Sequence, residues 1–381
     1  MSIWLIDTTL RDGEQAPGVA FAPKEKLRLA QMLDETGIDE IEAGTPAMGE
    51  SECKTIRTIA EQRLNARICV WSRALKQDIE TAASTNAQAV HIAFPVSDIQ
   101  LHALNKNRKW LNDSLPEMIE QARRHFPYVS IGAQDAGRTS PECLSNFIAM
   151  AAQNAVSRIR IADTVGMMTP LQTAGLIHNI HKQYPAIQID FHAHNDLGMA
   201  TANAITAWQS GAAAISLTVN GLGERAGNAA LEEALMILSQ IHRIQKYAID
   251  NLFALCNYVS SISGRPIPES KAVSGKWALS HESGIHAMGT LSDMLAFQAF
   301  DGKIIGRKST EIIYGKHSGK TAFSYLLKQN NINCTEADAG FLLQKIKTLA
   351  QNKKQSLNVD EVLTHLQLME GIVKNITKFA V

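Results

Sequence analysis

The stretch Phe191-His192-Ala193-His194-Asn195-Asp196 closes an apolar run that begins at Ile187. If that run is a β-strand, His192 and His194 lie on one face, because strand side chains alternate with period two. Two imidazoles on one face begin a divalent-metal site, although the same pattern also suits a polar strand end that binds nothing. The rest of the chain decides between these. Asp12 offers a carboxylate beside Arg11. Two neutral nitrogens plus one carboxylate leave coordination positions open for a chelating substrate. Mixed nitrogen and oxygen donors without a thiolate fit Mg²⁺, Mn²⁺, Zn²⁺ or Fe²⁺. Arg11 could hold negative charge developing on a substrate oxygen.

Such a site needs a scaffold that brings position 12 beside positions 192 and 194. Short apolar, β-branched runs recur at the spacing of βα units rather than hairpins. The expected strands are 3–6, 38–42, 67–70, 89–93, 128–132, 158–162, 187–192 and 214–218. Helical segments are expected at 23–36, 75–85, 115–125, 141–154 and 170–183, several opened by a proline after a capping position (Ser140-Pro141, Thr169-Pro170). Gly37, Asn86 and Gly211 fall where a left-handed residue would end a helix. Eight units ending near residue 240 predict a closed parallel (β/α)₈ TIM barrel, with chemistry at the C-terminal strand ends. A polar group belongs to each of those ends. In order they are Asp7 to Gln15, Glu42, Ser72-Arg73, His91, Gln134-Asp135, Asp163-Thr164, the two histidines, and Asn220 to Asn228. His91 suits a satisfied core histidine as well as a substrate contact.

Lys plus Arg and Asp plus Glu are equal at 37 each, so no net field favours nucleic acid or an anionic membrane. No apolar run approaches a membrane span, and the five scattered cysteines contain no CxxC. With no leader-like N-terminus, a reduced, cytoplasmic protein is expected. The barrel is expected over 1–261. A Gly-rich segment at 262–319 and a small helical region at 320–381 would follow. Gly315-Lys316-His317-Ser318-Gly319-Lys320-Thr321 is one residue short of a nucleotide phosphate loop and is not read as one.

Four ordered motifs carry a resemblance: Asp7-Thr8-Thr9-Leu10-Arg11-Asp12-Gly13-Glu14-Gln15, Ile161 to Gly166, His192 to Asp196, and Asn220 to Asn228. Together they resemble the metal-dependent acyl-CoA condensing enzymes that include 2-isopropylmalate, citramalate and homocitrate synthases. Within that family the chain is most similar to the homocitrate synthases of nitrogenase cofactor assembly, through Phe94 to Gln100, Leu104-Asn105-Lys106 and Gly315 to Gly319.

The resemblance implies an acyltransferase that condenses acetyl-CoA, its co-substrate, with a 2-oxo acid. The acid would be 2-oxoglutarate, giving homocitrate and CoA, with isopropylmalate- or citramalate-type condensation as the alternative. It implies one metal ion on Asp12, His192 and His194, with Asn228 as a more distant donor. Arg11, Thr164, Glu42 and His91 would contact substrate. The enzyme would be a homodimer whose sites are completed in trans by the 262–319 segment, which supplies His286. Two positions depart from the pattern. Gln134 stands where a catalytic Glu is usual, and Phe297 where a Tyr follows the histidine. His286 would then work with another carboxylate, Glu224 or Asp135, or the reaction would be slower. A third possibility is a relative that binds metal and keto acid without condensing them. A lyase is disfavoured, because Gly223-Glu224-Arg225 lacks the cysteine of the related acyl-CoA lyases.

Overall fold

Eight short runs become strands β1 (Trp4–Asp7), β2 (Glu40–Glu42), β3 (Arg67–Arg73), β4 (Ala89–Pro95), β5 (Tyr128–Gln134), β6 (Arg158–Asp163), β7 (Ile189–Ala193) and β8 (Ala214–Leu217). Each is parallel to the next, and β8 closes on β1 through pairs from Trp4–Ala214 to Asp7–Leu217. The chain is thus the expected TIM barrel with helices between its strands. The computed structural model describes residues 3–308 and 310–376, in two compact units, Met1–Ile267 and Pro268–Val381. No described helix is long and apolar enough to cross a membrane.

Period-two patterning explains what fills the barrel. In Arg158-Ile159-Arg160-Ile161-Ala162-Asp163 every residue is buried. Arg158 Nη1 lies 3.1 Å from Glu40 Oε2, and Arg160 Nη1 lies 2.6 Å from Glu42 Oε1. Strands β2 and β6 are not neighbours, so these contacts cross the lumen. The interior is therefore ionic, and Ile159 and Ile161 turn the other way, toward the surrounding helices. Charges this deep persist only when paired, since one left alone costs several kcal/mol.

The proline start signals hold, with helices at Pro23–Glu35, Pro141–Gln153 and Pro170–Gln183. Gly37, Asn86 and Gly211 all have positive φ. The helix expected at 115–125 starts earlier, at Arg108, where the Asn107 side chain accepts from the Trp110 N–H. The helices Glu50–Ala60 and Ala200–Gln209 were not among those expected. The first is amphipathic, with Cys53, Ile56 and Ile59 buried; the second is built of small apolar residues buried on several sides, so no polar stripe marks it. The expected end of the barrel at 261 falls inside the helix Leu252–Ser263, and the first unit runs on to Ile267.

The second unit holds a two-stranded parallel pair, β9 (Ser280–His281) and β10 (Glu311–Ile312). Its main helices are Gly284–Ser292, Lys320–Gln329, Glu336–Lys353 and Val359–Ile376. Tyr314, Phe323, Leu343, Ile346, Leu357 and Val362 form its core. Gly315 to Gly319 is a packing loop. Glu282 accepts from the His317 N–H at 2.9 Å and from Ser356 Oγ, and a Cβ at Gly319 would lie 3.0 Å from the Gly284 backbone.

Candidate active site

Strand β7 ends by turning His192 and His194 toward the loop that follows β1. Their Nε2 atoms lie 3.4 Å apart, and Asp12 Oδ2 is 3.0 Å from the first and 3.9 Å from the second. One donor atom from each residue fits within 4.8 Å of the others, and all three residues are buried. Burial, reinforced by His192, pushes the His194 imidazole down to about 4, leaving it neutral with a lone pair to give. Burial would raise the Asp12 carboxyl, but Arg11 and then His192 outweigh it and keep the group ionised. Asn228 pairs with His194 as an isolated bridge, and its buried Oδ1 accepts no hydrogen bond. Two imidazole nitrogens, a carboxylate and a spare amide oxygen are a donor set suited to a divalent cation.

Arg11 is held from below. Its Nε donates to Glu42 Oε2 at 2.8 Å, its Nη2 lies 2.7 Å from the same oxygen, and its Nη1 lies 3.1 Å from Asp12 Oδ2. Glu42 in turn meets Arg160, which reaches Asp190, and Ser216 Oγ donates to Asp190 at 3.0 Å. This chain of alternating charge runs from the barrel mouth into its interior. Glu42 is fully buried with both oxygens engaged by arginine, and it does not line the cavity. Glu42 thus stands behind Arg11 and fixes its guanidinium.

The cavity above this network has a volume of about 220 Å³. Arg11, Asp12, His91, Gln134, Thr164, His192, His194 and Glu224 line it, so the barrel brings eight of the expected residues together. Asn228 lies beside it rather than in its wall. Thr164 Oγ1 accepts from the Asp135 N–H at 2.9 Å, which leaves its own proton free for a ligand. Asp135 is a poor partner for any histidine, because Arg138 Nε lies 2.8 and 3.0 Å from its two oxygens and Ser97 Oγ donates to it. That leaves Glu224, about half exposed, as the freer of the two carboxylates proposed for this role. His91 Nδ1 meets Ser130 Oγ at 3.0 Å, and burial, with Arg160 nearby, holds the ring neutral.

The HMGL-like family profile matches residues 2–259, and that of the homocitrate synthase post-HMGL domain-like family matches residues 273–354. The chain belongs to the HMGL-like family. One HMGL-like relative, 2-isopropylmalate synthase 2 of Caldanaerobacter subterraneus subsp. tengcongensis, is 42% identical over 95% of this chain and 94% of its own. Homocitrate synthase 1 of Nostoc sp. is 38% identical over 94% of this chain and 95% of its own. The fold is that of hydroxymethylglutaryl-CoA lyase from Pseudomonas aeruginosa, with a TM-score of 0.62 and 22% identity over 70% of this chain and 94% of that one.

Three further residues of this HMGL-like barrel line the site without having been singled out from sequence. Trp71 lies under the Arg11 guanidinium at 5.8 Å, whereas its polar neighbour Arg73 turns away to Asp78. The Cys69-Trp71 alternation was the available signal. Arg160 was hidden within an apparently ordinary strand. Arg225 ties three strand ends together, meeting Asp196 at 2.8 Å and the Thr164 carbonyl at 2.7 Å. His286 belongs to the second unit, where its exposed ring stacks on Phe297 with centroids 4.6 Å apart. A Cβ at Gly289 would lie 2.2 Å from the Phe297 ring, so that glycine makes room for it.

Proposed function

We propose that this protein is a metal-dependent acyltransferase that condenses acetyl-CoA with a 2-oxo acid. Our first choice of acid is 2-oxoglutarate, which would give homocitrate and CoA, as in the homocitrate synthases associated with nitrogenase. The observation that carries the reading is the convergence of Asp12, His192 and His194 with Arg11 and Thr164 in one buried cavity. A divalent cation (Mg²⁺, Mn²⁺, Zn²⁺ or Fe²⁺) held by Asp12, His192 and His194 would supply a Lewis acid for a chelating keto acid. Arg11, immobilised by Glu42, presents its guanidinium to the oxygen that gains charge when the keto carbon is attacked. Thr164 donates its free hydroxyl proton to the substrate carboxylate.

The reaction forms one carbon–carbon bond and breaks one thioester. A base removes a methyl proton from acetyl-CoA, the resulting carbanion equivalent adds to the keto carbon, and water releases CoA as the thiol. Gln134 has no carboxylate to serve as that base. We assign the proton transfer to His286 of a second copy, acting with Glu224. Mixing Asp12→Ala with His286→Ala protein tests this. Completion in trans restores about a quarter of the wild-type sites in a random mixture of dimers, and completion in cis restores none.

The main test is thiol release from acetyl-CoA against a panel of 2-oxo acids, with product identification. Turnover with 2-oxoglutarate supports the homocitrate reading. Turnover only with 2-oxoisovalerate or pyruvate replaces it with the isopropylmalate or citramalate reaction, a reading favoured by the 42% identical relative. No thiol release with any acid removes the acyltransferase reading.

A further inference from the structure

Arg160 lies one inward position deeper than the histidines. In the strand register it pairs with Asp190, while Ala162 pairs with His192. Inward positions two residues apart are separated by about 6.6 Å along a strand. Arg160 lines the cavity, and its guanidinium is only partly used. Nη1 is held by Glu42 and Nε by Asp190, but Nη2 is buried with no hydrogen-bond partner. A buried arginine donor without an acceptor costs on the order of a whole hydrogen bond to a charged group, so its persistence points to an acceptor that arrives with a ligand.

The register neighbour of Arg160 on β5 is Gly132, which has no side chain to offer the guanidinium an acceptor. No side chain fits there, because a Cβ at Gly132 would sit 2.6 Å from His91 Nε2. Gly132 therefore makes room for the His91 ring, and His91, Gly132 and Arg160 line the cavity together.

We infer that Arg160 is a specificity-determining residue that receives the distal carboxylate of a 2-oxo dicarboxylic acid. The inference rests on the barrel being a 2-oxo acid site and adds which acid it takes. In a five-carbon diacid, three carbon–carbon bonds separate the keto carbon from the far carboxyl carbon, a span of about 4 Å when extended. A hydrogen bond of about 2.9 Å then completes a distance close to the separation of the two layers. One methylene fewer falls short, and an apolar branch at this depth leaves Nη2 unpaired. The discrimination comes from this directional donor, because Glu42 and Asp190 already balance the charge of Arg160.

Calorimetric titration in the presence of Mn²⁺, without acetyl-CoA, tests the inference apart from turnover. The wild-type protein is expected to bind 2-oxoglutarate roughly 10- to 100-fold more tightly than 2-oxobutyrate or 2-oxoisovalerate. Arg160→Lys, which keeps the charge but loses the planar fork, should reduce that preference to within about threefold. It should lower 2-oxobutyrate affinity far less than 2-oxoglutarate affinity and leave the circular dichroism spectrum unchanged. Equal or tighter binding of the apolar acids by the wild type overturns the role of Arg160 while leaving the 2-oxo acid reading intact. So does a folded Arg160→Lys protein that retains the preference. Failure of every 2-oxo acid to bind removes the parent reading, and this inference with it.

Discussion

Glu42→Gln is the most informative single change in the barrel. The carboxylate is fully buried, with Arg11 Nε and Nη2 at 2.8 and 2.7 Å on one oxygen and Arg160 Nη1 at 2.6 Å from the other. An amide has one acceptor oxygen, so its NH₂ group must face a guanidinium donor and both arginines lose their shared counter-charge. Breaking a buried pair in this way destabilises by about 3–5 kcal/mol, or roughly 6–15 °C in Tm for a unit of this size. The effect also has a pH signature. Burial alone would raise the Glu42 carboxyl, but Arg11 and Arg160 prevail and hold it below the usual carboxylate range. A depressed carboxyl contributes stability that is present above its unfolded value, about 4.3, and is lost as pH falls through its folded value. Calorimetric melts of both proteins between pH 3 and pH 8 should show a full, constant gap above about pH 5 and a narrowing gap below it. A gap under about 1 kcal/mol at pH 7, or one that does not shrink in acid, refutes the proposed clamp on Arg11.

Asp7→Asn should show the opposite pH trend. Burial is the main cause that raises the Asp7 carboxyl to about 7, against hydrogen bonds from the Thr9 N–H and hydroxyl. Its favourable contribution is complete below the unfolded value and is lost as pH rises through 7. The stability of the wild type relative to Asp7→Asn should thus fall by about 2–3 kcal/mol between pH 5 and pH 8, measured by denaturant titration. Gln134→Glu places a carboxylate in the cavity wall. Steady-state thiol release should rise if Gln134 merely slows the reaction, whereas an unchanged or lower kcat means that the proton transfer runs through other groups.

The barrel was legible because each strand is short, β-branched and separated from the next by a helix-length segment. The paired histidines were legible because period two survives to the end of β7. Arg160 was not, since Arg158-Ile159-Arg160-Ile161 reads equally well as a strand with one wet face. Only the position of β2, more than a hundred residues earlier in the chain, turns those arginines into a buried network. Glu42 was found, but its hold on Arg11 was not, for the same reason: its partners Arg11 and Arg160 come from two other strand units. The helix Ala200–Gln209 escaped notice because a helix buried on several sides carries no polar period. Asp135 was named as a possible partner for His286, yet its carboxylate is spoken for by Arg138, three residues on, and by Ser97.

Mn²⁺ titration followed by electron paramagnetic resonance addresses the shared cation site most directly. The wild-type chain should bind one ion per barrel. Asp12→Asn, His192→Ala and His194→Ala should each weaken that binding at least about 100-fold while keeping the wild-type circular dichroism spectrum. Unchanged Mn²⁺ affinity in all three folded variants would contradict the assignment of these residues as a metal centre.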